Sequence, residues 1–156
     1  MKLCIRQRVF SWLDTYDVTS EEGVTFFTIR GEFAVFYHRL HVINNYGQEV
    51  ATLEERVFTF RKHYYIDIPG QQSGDLVKEW TFVQPRYFLD FLPWTIEGDI
   101  FGWDYVIRNG DTEVASISKQ LFTWGDTYVI DVANPKDALL CLLIAVGIDI
   151  TRESRN

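Results

Sequence analysis

The sequence predicts a mainly β protein: a closed antiparallel barrel of about twelve strands that encloses a hydrophobic C-terminal helix. Three observations predict this fold. The chain contains short β-prone runs between turn signals, an internal repeat, and one segment near its end that is apolar on every side. We expect residues 1–156 to form a single domain, because a chain of this length can bury about two-thirds of the surface that its unfolded form exposes.

The strands are predicted from runs rich in Val, Ile, Thr, Phe, Tyr and Trp, which favour pleated backbone. Turn signals such as Asn45-Tyr46-Gly47 and Asn109-Gly110-Asp111 separate these runs. The predicted strands cover about residues 3–13, 15–20, 24–30, 33–44, 48–60, 63–68, 75–82, 86–91, 94–100, 103–109, 112–123 and 127–133.

An internal repeat supports the regular β structure. A shift of 64 positions aligns Glu49-Val50-Ala51 with Glu113-Val114-Ala115 and Tyr64-Tyr65-Ile66-Asp67 with Tyr128-Val129-Ile130-Asp131. A shorter unit, aromatic-hydroxyl-aromatic followed by a tyrosine, begins at four places: Phe10, Phe58, Trp80 and Phe122. Because residues i and i+2 share one face of a strand, each unit is predicted to present two rings to the same side.

The C-terminal segment is predicted to be a helix over about residues 135–149. Asn134 can cap its first turn, Pro135 suits the first helical position, and Asp137 adds negative charge at the positive end of the helix dipole. The apolar part is roughly 16 Å long, well short of the ~30 Å needed to span a bilayer. Since it offers no face to water, we expect protein to surround it, and a barrel does so where a two-layer sandwich would leave one side wet.

Charge and cysteine content limit the function classes. The net charge of −7 opposes general binding to nucleic acid or anionic membrane, so that only a local basic patch would reverse it. Residues 1–16 include Arg6, Arg8 and Asp14 and contain no secretory signal, which predicts a reducing, cytoplasmic setting. Cys4 and Cys141 are predicted to be buried free thiols, with a Cys4–Cys141 disulfide as the alternative.

Several motifs together resemble the LURP-one-related family, and the resemblance covers nearly the whole chain. They are Ile5-Arg6-Gln7-Arg8-Val9-Phe10-Ser11-Trp12, Gly31-Glu32-Phe33, Phe58-Thr59-Phe60, Gly98-Asp99-Ile100-Phe101-Gly102-Trp103-Asp104-Tyr105, Phe122-Thr123-Trp124-Gly125-Asp126-Thr127-Tyr128 and the apolar helix. That family belongs with the tubby C-terminal domains, which bind phosphoinositides, and with the phospholipid scramblases. The resemblance therefore implies a twelve-stranded barrel around a central helix and a binding module with a lipid-related role.

The resemblance does not extend to calcium chemistry. In scramblases an acidic calcium segment precedes the helix, whereas here residues 126–131 contain only Asp126 and Asp131. Calcium prefers six or more oxygen ligands from closely spaced groups, so we expect no metal and no cofactor here. His38 and His41 have a chelating H-x-x-H spacing, but on a strand their rings point to opposite faces, which also argues against a metal site.

The candidate binding site is a basic turn. Arg61, Lys62 and His63 form the densest positive charge in the chain, and Arg86 and Lys78 come from the neighbouring predicted hairpin. This group predicts a site for a phospholipid headgroup or another small anion; the alternative is a solvated turn without a ligand.

We expect a non-enzymatic intracellular binding or scaffold module, because no nucleophile elbow, P-loop or dinucleotide motif is present and no catalytic residue stands out. Its partner would be a phospholipid headgroup, another small anion or a protein, not nucleic acid, and peripheral membrane association stays open beside the cytoplasmic location. No transmembrane segment is predicted. The alternative is a hydrolase acting on a sugar or phosphate ester through Glu97, Asp99 and Asp104 in the acidic aromatic hairpin 97–105.

Overall fold

A computed structural model of the chain describes residues 1–6, 15–56, 63–122 and 125–153. The described part contains β1 (Lys2–Ile5), β2 (Thr15–Thr19), β3 (Thr25–Phe33), β4 (Tyr37–Asn44), β5 (Glu49–Arg56), β6 (His63–Asp67), β7 (Gly74–Trp80), β8 (Pro85–Leu89), β9 (Trp94–Asp99), β10 (Asp104–Asn109), β11 (Thr112–Phe122) and β12 (Gly125–Val132). A 3-10 turn, Pro135–Asp137, leads into α1 (Ala138–Glu153).

The strands form one closed antiparallel barrel, as predicted. Each strand pairs with the next along the chain, and β1 pairs with β12 to close the sheet. The predicted first strand, 3–13, is shorter in the structure: β1 ends at Ile5, and residues 7–13 lie outside the described residues. The predicted strand 48–60 ends at Arg56, and its last four residues likewise lie outside the described part.

The helix α1 lies inside the barrel. Leu142, Leu143 and Ile144 have no exposed surface, and every residue from Leu140 to Val146 is buried. The capping prediction is confirmed, since the Asn134 side chain accepts a hydrogen bond from the Lys136 amide at 3.2 Å. Burial on all sides explains why the apolar residues follow no helical period.

The helix extends past the predicted end at residue 149. Asp149 and Thr151 are buried, and the Thr151 hydroxyl donates to the Ile148 carbonyl at 2.7 Å. The same hydroxyl is hydrogen-bonded to Tyr87 on β8. Thr151 finds its hydrogen-bond partners inside the barrel, so the buried helix continues through these polar residues.

The two copies of the 64-residue repeat lie on opposite sides of the barrel. The β5–β6 pairing places Thr52 opposite Asp67, and the β11–β12 pairing places Ser116 opposite Asp131. These two register pairs are related by the same 64-residue shift that relates the sequences. The repeated sequence therefore gives two equivalent hairpins six strands apart.

The barrel has two different ends. We call one the turn end; it carries the turns 20–24, 45–48, 68–73, 90–93 and 110–111 and the start of α1. We call the other the loop end; it carries the loops 34–36, 81–84 and 100–103 and the end of α1. The tyrosines that follow the four aromatic units are all buried near the loop end: Tyr16, Tyr64, Tyr87 and Tyr128.

The aromatic unit at Trp80 does not continue its strand as predicted. β7 ends at Trp80, Phe82 is fully exposed, and the Thr81 hydroxyl donates to the Gln84 carbonyl within the loop. Parts of the other three copies lie outside the described residues.

Candidate anion-binding site

A cleft of about 380 Å³ opens in the barrel wall between β8 and β9. Only one register pair, Phe88 opposite Thr95, joins these two strands in the described structure, whereas β9 and β10 share six. Pro85 begins β8 and lines the cleft, and it has no backbone N–H to donate to a neighbouring strand. We attribute the poor pairing, and hence the cleft, in part to this proline.

The cleft has an apolar floor and a charged rim. Tyr87, Trp94 and Ile100 line it and are buried in the barrel core. Arg86 and Glu97 line it from opposite strands and are exposed. The cleft therefore combines a floor of buried apolar side chains with one positive and one negative side chain at its mouth.

Arg86 is the one residue of the predicted basic group that lines the cleft. It forms no ion pair with any described residue; its neighbour in register on β7 is Glu79. An exposed guanidinium at the mouth of a cleft can donate two parallel hydrogen bonds to a phosphate or carboxylate.

The other predicted basic residues are placed differently. Arg61 and Lys62 lie outside the described residues. His63 begins β6, separated from β8 by β7, and its Nδ1 atom lies 3.6 Å from an Asp75 carboxylate oxygen. The structure corrects the prediction that Lys78 joins this basic group. Lys78 is buried, with its Nζ atom 6.0 Å from the centre of the Tyr87 ring, and so does not lie on the outer surface.

The acidic hairpin uses its carboxylates for local structure. Glu97 lies 3.5 Å from the Arg108 guanidinium, and Asp99 accepts a hydrogen bond from the Gly102 amide at 2.8 Å. Trp103 stacks on Tyr128 with ring centres 4.0 Å apart, so it belongs to the core. Sequence reasoning placed Glu97 and Arg86 in separate candidate sites, whereas the structure brings both to one cleft.

The two histidines of β4 do not share a site. His38 hydrogen-bonds Glu55 at 2.7 Å, while His41 contacts Glu32 at 2.6 Å through Nε2 and Glu49 through Nδ1. The hydrogen bond from His41, together with one from Tyr37, holds the pKa of the Glu32 carboxyl below its usual value. Among the described residues, no three His, Cys, Asp or Glu side chains come together as a metal site would require.

Both cysteines are buried and free, as predicted. Burial raises the pKa of the Cys141 thiol to about 12, and it also raises the pKa of Cys4. Cys141 lies on the helix within the hydrophobic core, whereas Cys4 lies on β1 opposite Thr19 and Val129. The alternative of a Cys4–Cys141 disulfide is therefore wrong.

A second cleft, of about 370 Å³, is lined by β2 and residues next to it. Its lining includes Arg6, Tyr16, Asp17 and Thr19. Here too one register pair, Cys4 opposite Thr19, joins β1 and β2 in the described structure. Asp17 already accepts a hydrogen bond from Thr28 at 2.8 Å. The β8–β9 cleft is the stronger candidate, because its cation has no ion-pair partner in the part of the chain that the structure describes and its floor is apolar.

The comparisons with known proteins agree with this architecture. The model of the LURP-one-related family matches residues 1–149. The chain belongs to this family. A relative within the curated proteins is the uncharacterised protein YxjI of Bacillus subtilis (strain 168), 26% identical over 150 residues that cover 96% of this chain and 93% of YxjI. An Arabidopsis thaliana protein solved by X-ray crystallography superposes with a TM-score of 0.64 at 15% identity, over 97% of this chain and 90% of its own, which supports the shared fold.

No helix in the described residues combines the length and the hydropathy needed to cross a bilayer.

Proposed function

We propose that this LURP-one-related chain is a non-enzymatic binding module that recognises a phospholipid headgroup or another small anion at the outer mouth of the β8–β9 cleft. The observation that carries the proposal is Arg86, an exposed cation without an ion-pair partner among the described residues, beside an apolar floor. Arg61 and Lys62 lie outside the described residues and His63 is separated from β8 by β7, so the proposal rests on Arg86 alone among the predicted basic residues.

The cleft suits a ligand with one anionic group. Its volume of about 380 Å³ lies in the lower part of the range of small-molecule sites, about 300–1,000 Å³. Phosphate would face Arg86, because Glu97 on the opposite rim would repel a second anion. Neutral hydroxyl groups of the ligand could instead donate to Glu97. This arrangement favours a phosphate carried on a polar, uncharged group over inorganic phosphate alone.

A binding role fits the site better than hydrolysis. A hydrolase acting through the hairpin would need two carboxylates beside the substrate. Of the three hairpin carboxylates only Glu97 lines the cleft, while Asp99 stabilises its own turn. The helix occupies the lumen, so that recognition would use the outer wall and the ends of the barrel. We propose a cytoplasmic location with peripheral contact to membranes.

Ligand titration with a matched control tests the proposal. Trp94 lines the cleft, so we would follow tryptophan fluorescence during addition of a soluble inositol phosphate, with inorganic phosphate as the second probe. Arg86→Ala should weaken binding of the inositol phosphate about tenfold or more, since a charge-assisted hydrogen bond contributes about 1.5–3 kcal/mol. The control is Arg30→Ala, which removes an exposed arginine from β3 on the far side of the barrel and should change the affinity less than about twofold.

Equal weakening by Arg86→Ala and Arg30→Ala would mean that only overall charge matters, and it would overturn the assignment of the cleft. Absence of binding by the unaltered chain at low salt would overturn the proposed function itself.

A further inference from the structure

Large apolar side chains are exposed at the loop end. Val83 is 91% exposed, Leu121 is 83% exposed and Phe82 is fully exposed. We define the apolar rim as the six residues Phe33, Val35, Phe36, Phe82, Val83 and Leu121, which belong to the β3–β4 loop, the β7–β8 loop and the ends of β3 and β11.

Most of the surface of the apolar rim is exposed to water. Phe33 stacks on His38 with ring centres 4.4 Å apart and is still 61% exposed, and none of the six rim residues belongs to the core. Exposing such side chains to water lowers solubility. Connections at the turn end are built from residues that close hairpins: Asn44, for example, accepts hydrogen bonds from the amides of Tyr46 and Gln48. Since the same strands are closed there without such a group of side chains, the apolar rim indicates a surface that is covered in use.

Negative charge is concentrated at the turn end of the barrel. The turn end carries the carboxylates Glu21, Glu22, Asp67, Asp90, Asp111 and Asp137 and fewer cations, which are Lys2, Arg108 and Lys136 among the described residues. The loop end carries both signs: the described cations near it include Arg6, Arg39, Arg86 and Lys119, and the carboxylates include Glu32, Glu55 and Glu79. A chain with a net charge of −7 would thus approach an anionic surface loop end first, because the turn end is repelled. The loop 100–103 is less suited to this contact, since Asp99 and Asp104 flank it.

We propose that the loop end docks on the surface of an anionic phospholipid bilayer, with the apolar rim inserted at headgroup depth and α1 pointing towards the membrane. The rim residues come from separate loops around the mouth of a barrel, an arrangement that matches a flat, deformable surface better than the continuous groove that would hold a peptide. Anionic headgroups would contact the exposed Arg86 at this end, whereas the turn end repels them. The headgroup contact at Arg86 rests on the proposed function, whereas insertion of the rim does not depend on it.

Vesicle sedimentation with matched double variants tests the docking. Phe82→Ser with Val83→Ser removes two rim side chains, and Val24→Ser with Tyr46→Ser removes two exposed apolar side chains at the turn end. The unaltered chain should sediment with phosphatidylcholine vesicles that contain phosphatidylserine and much less with phosphatidylcholine alone. The rim variant should lose about tenfold or more in partitioning, because burial of two such side chains is removed. The turn-end variant should stay within about twofold.

The two proposals fail in different ways. The rim variant should keep its affinity for the soluble inositol phosphate, whereas Arg86→Ala should lose it. Equal sedimentation of the two double variants, or no sedimentation of the unaltered chain at low salt, would overturn bilayer docking and would leave a protein partner as the occupant of the rim. Loss of inositol phosphate binding alone would overturn only the proposed function.

Discussion

The two ends of the barrel join the same twelve strands in different ways. At the turn end, four of the five hairpin turns carry a glycine at positive φ: Gly23, Gly47, Gly70 and Gly110. At the loop end, the described loops hold exposed Val35, Phe82 and Val83. The helix runs between the two ends and is buried along its length from Leu140 to Val146.

This difference indicates that the turn end serves folding, whereas the loop end serves recognition. Tight turns with glycine and carboxylates close hairpins at little cost and keep the protein soluble. Exposed apolar loops oppose solubility, so a rigid scaffold is expected to carry them where they contact a partner. The helix α1 occupies the lumen, and the two clefts formed by described residues lie in the barrel wall.

The largest expected effect on stability comes from placing a charge in the lumen, compared with placing the same charge at the loop end. Leu142→Asp should abolish folding, because an unpaired buried carboxylate costs several kcal/mol against a total stability of about 5–15 kcal/mol. Leu121→Asp places the same charge where the side chain is 83% exposed, and this variant should fold. Circular dichroism during thermal unfolding checks both. A soluble Leu142→Asp variant that melts cooperatively would contradict enclosure of the helix.

A second contrast compares a glycine in the wall with one in a turn. Gly98 has a φ of +125°, and a Cβ atom there would lie 2.7 Å from the Asp104 carbonyl oxygen and 2.8 Å from the Tyr105 Cα. Gly98→Ala should therefore cost about 3 kcal/mol, since backbone would have to move. Gly110→Ala, at a φ of +61° in open space, should cost only about 1 kcal/mol. Urea unfolding measures both, and equal costs would show that Gly98 is not held against β10 as described.

A smaller effect is expected at the hydrogen bond that ties α1 to the wall. The Tyr87 hydroxyl contacts the Thr151 hydroxyl in the buried loop end of the lumen. Tyr87→Phe should lower the free energy of unfolding by about 1 kcal/mol. Tyr46→Phe, at an exposed turn-end position, should change it by less than about 0.5 kcal/mol. The same urea titration compares them, and no loss in Tyr87→Phe would mean that this contact adds nothing to stability.

The smallest expected effect is the pH dependence of stability that arises from Glu32, on the outer wall near the loop end. The hydrogen bonds from His41 and Tyr37 lower the pKa of Glu32, so the folded state holds the charged form more strongly than the unfolded state. This stabilisation is present above the ordinary carboxyl pKa of about 4.3 and is lost as the pH falls through the lowered value. Glu32→Gln should differ from the unaltered chain in urea midpoint at neutral pH, and the difference should disappear in acid. A difference independent of pH would exclude ionisation of Glu32 as its cause.

The fold could be predicted because its main requirement is local. A helix that is apolar all round has to be enclosed, and alternating β-prone runs supply the enclosing wall. The extension of α1 to Glu153 could not be predicted, since Asp149 and Thr151 are polar and their burial depends on partners far away in sequence, such as Tyr87. The sequence contained no sign of that hydrogen bond.

The site was predicted only in part. Arg86 stood out by charge, but its place at a cleft depends on how β8 and β9 pair, which sequence patterns do not report. Pro85 was the available signal, because it removes a hydrogen-bond donor beside the gap. Lys78 was grouped with Arg86 because both belong to one predicted hairpin, and the structure buries Lys78 beside Tyr87.

The most direct test of the difference between the two ends is a pair of single-site labels. Cys4 and Cys141 are buried, with thiol pKa values raised by burial, so a polarity-sensitive thiol dye should react with an added surface cysteine instead. The dye is attached to Val83→Cys at the loop end or to Tyr46→Cys at the turn end. With vesicles that contain phosphatidylserine, emission from position 83 should shift to the blue while emission from position 46 stays unchanged. Equal shifts at both positions, or none at position 83, would contradict the account.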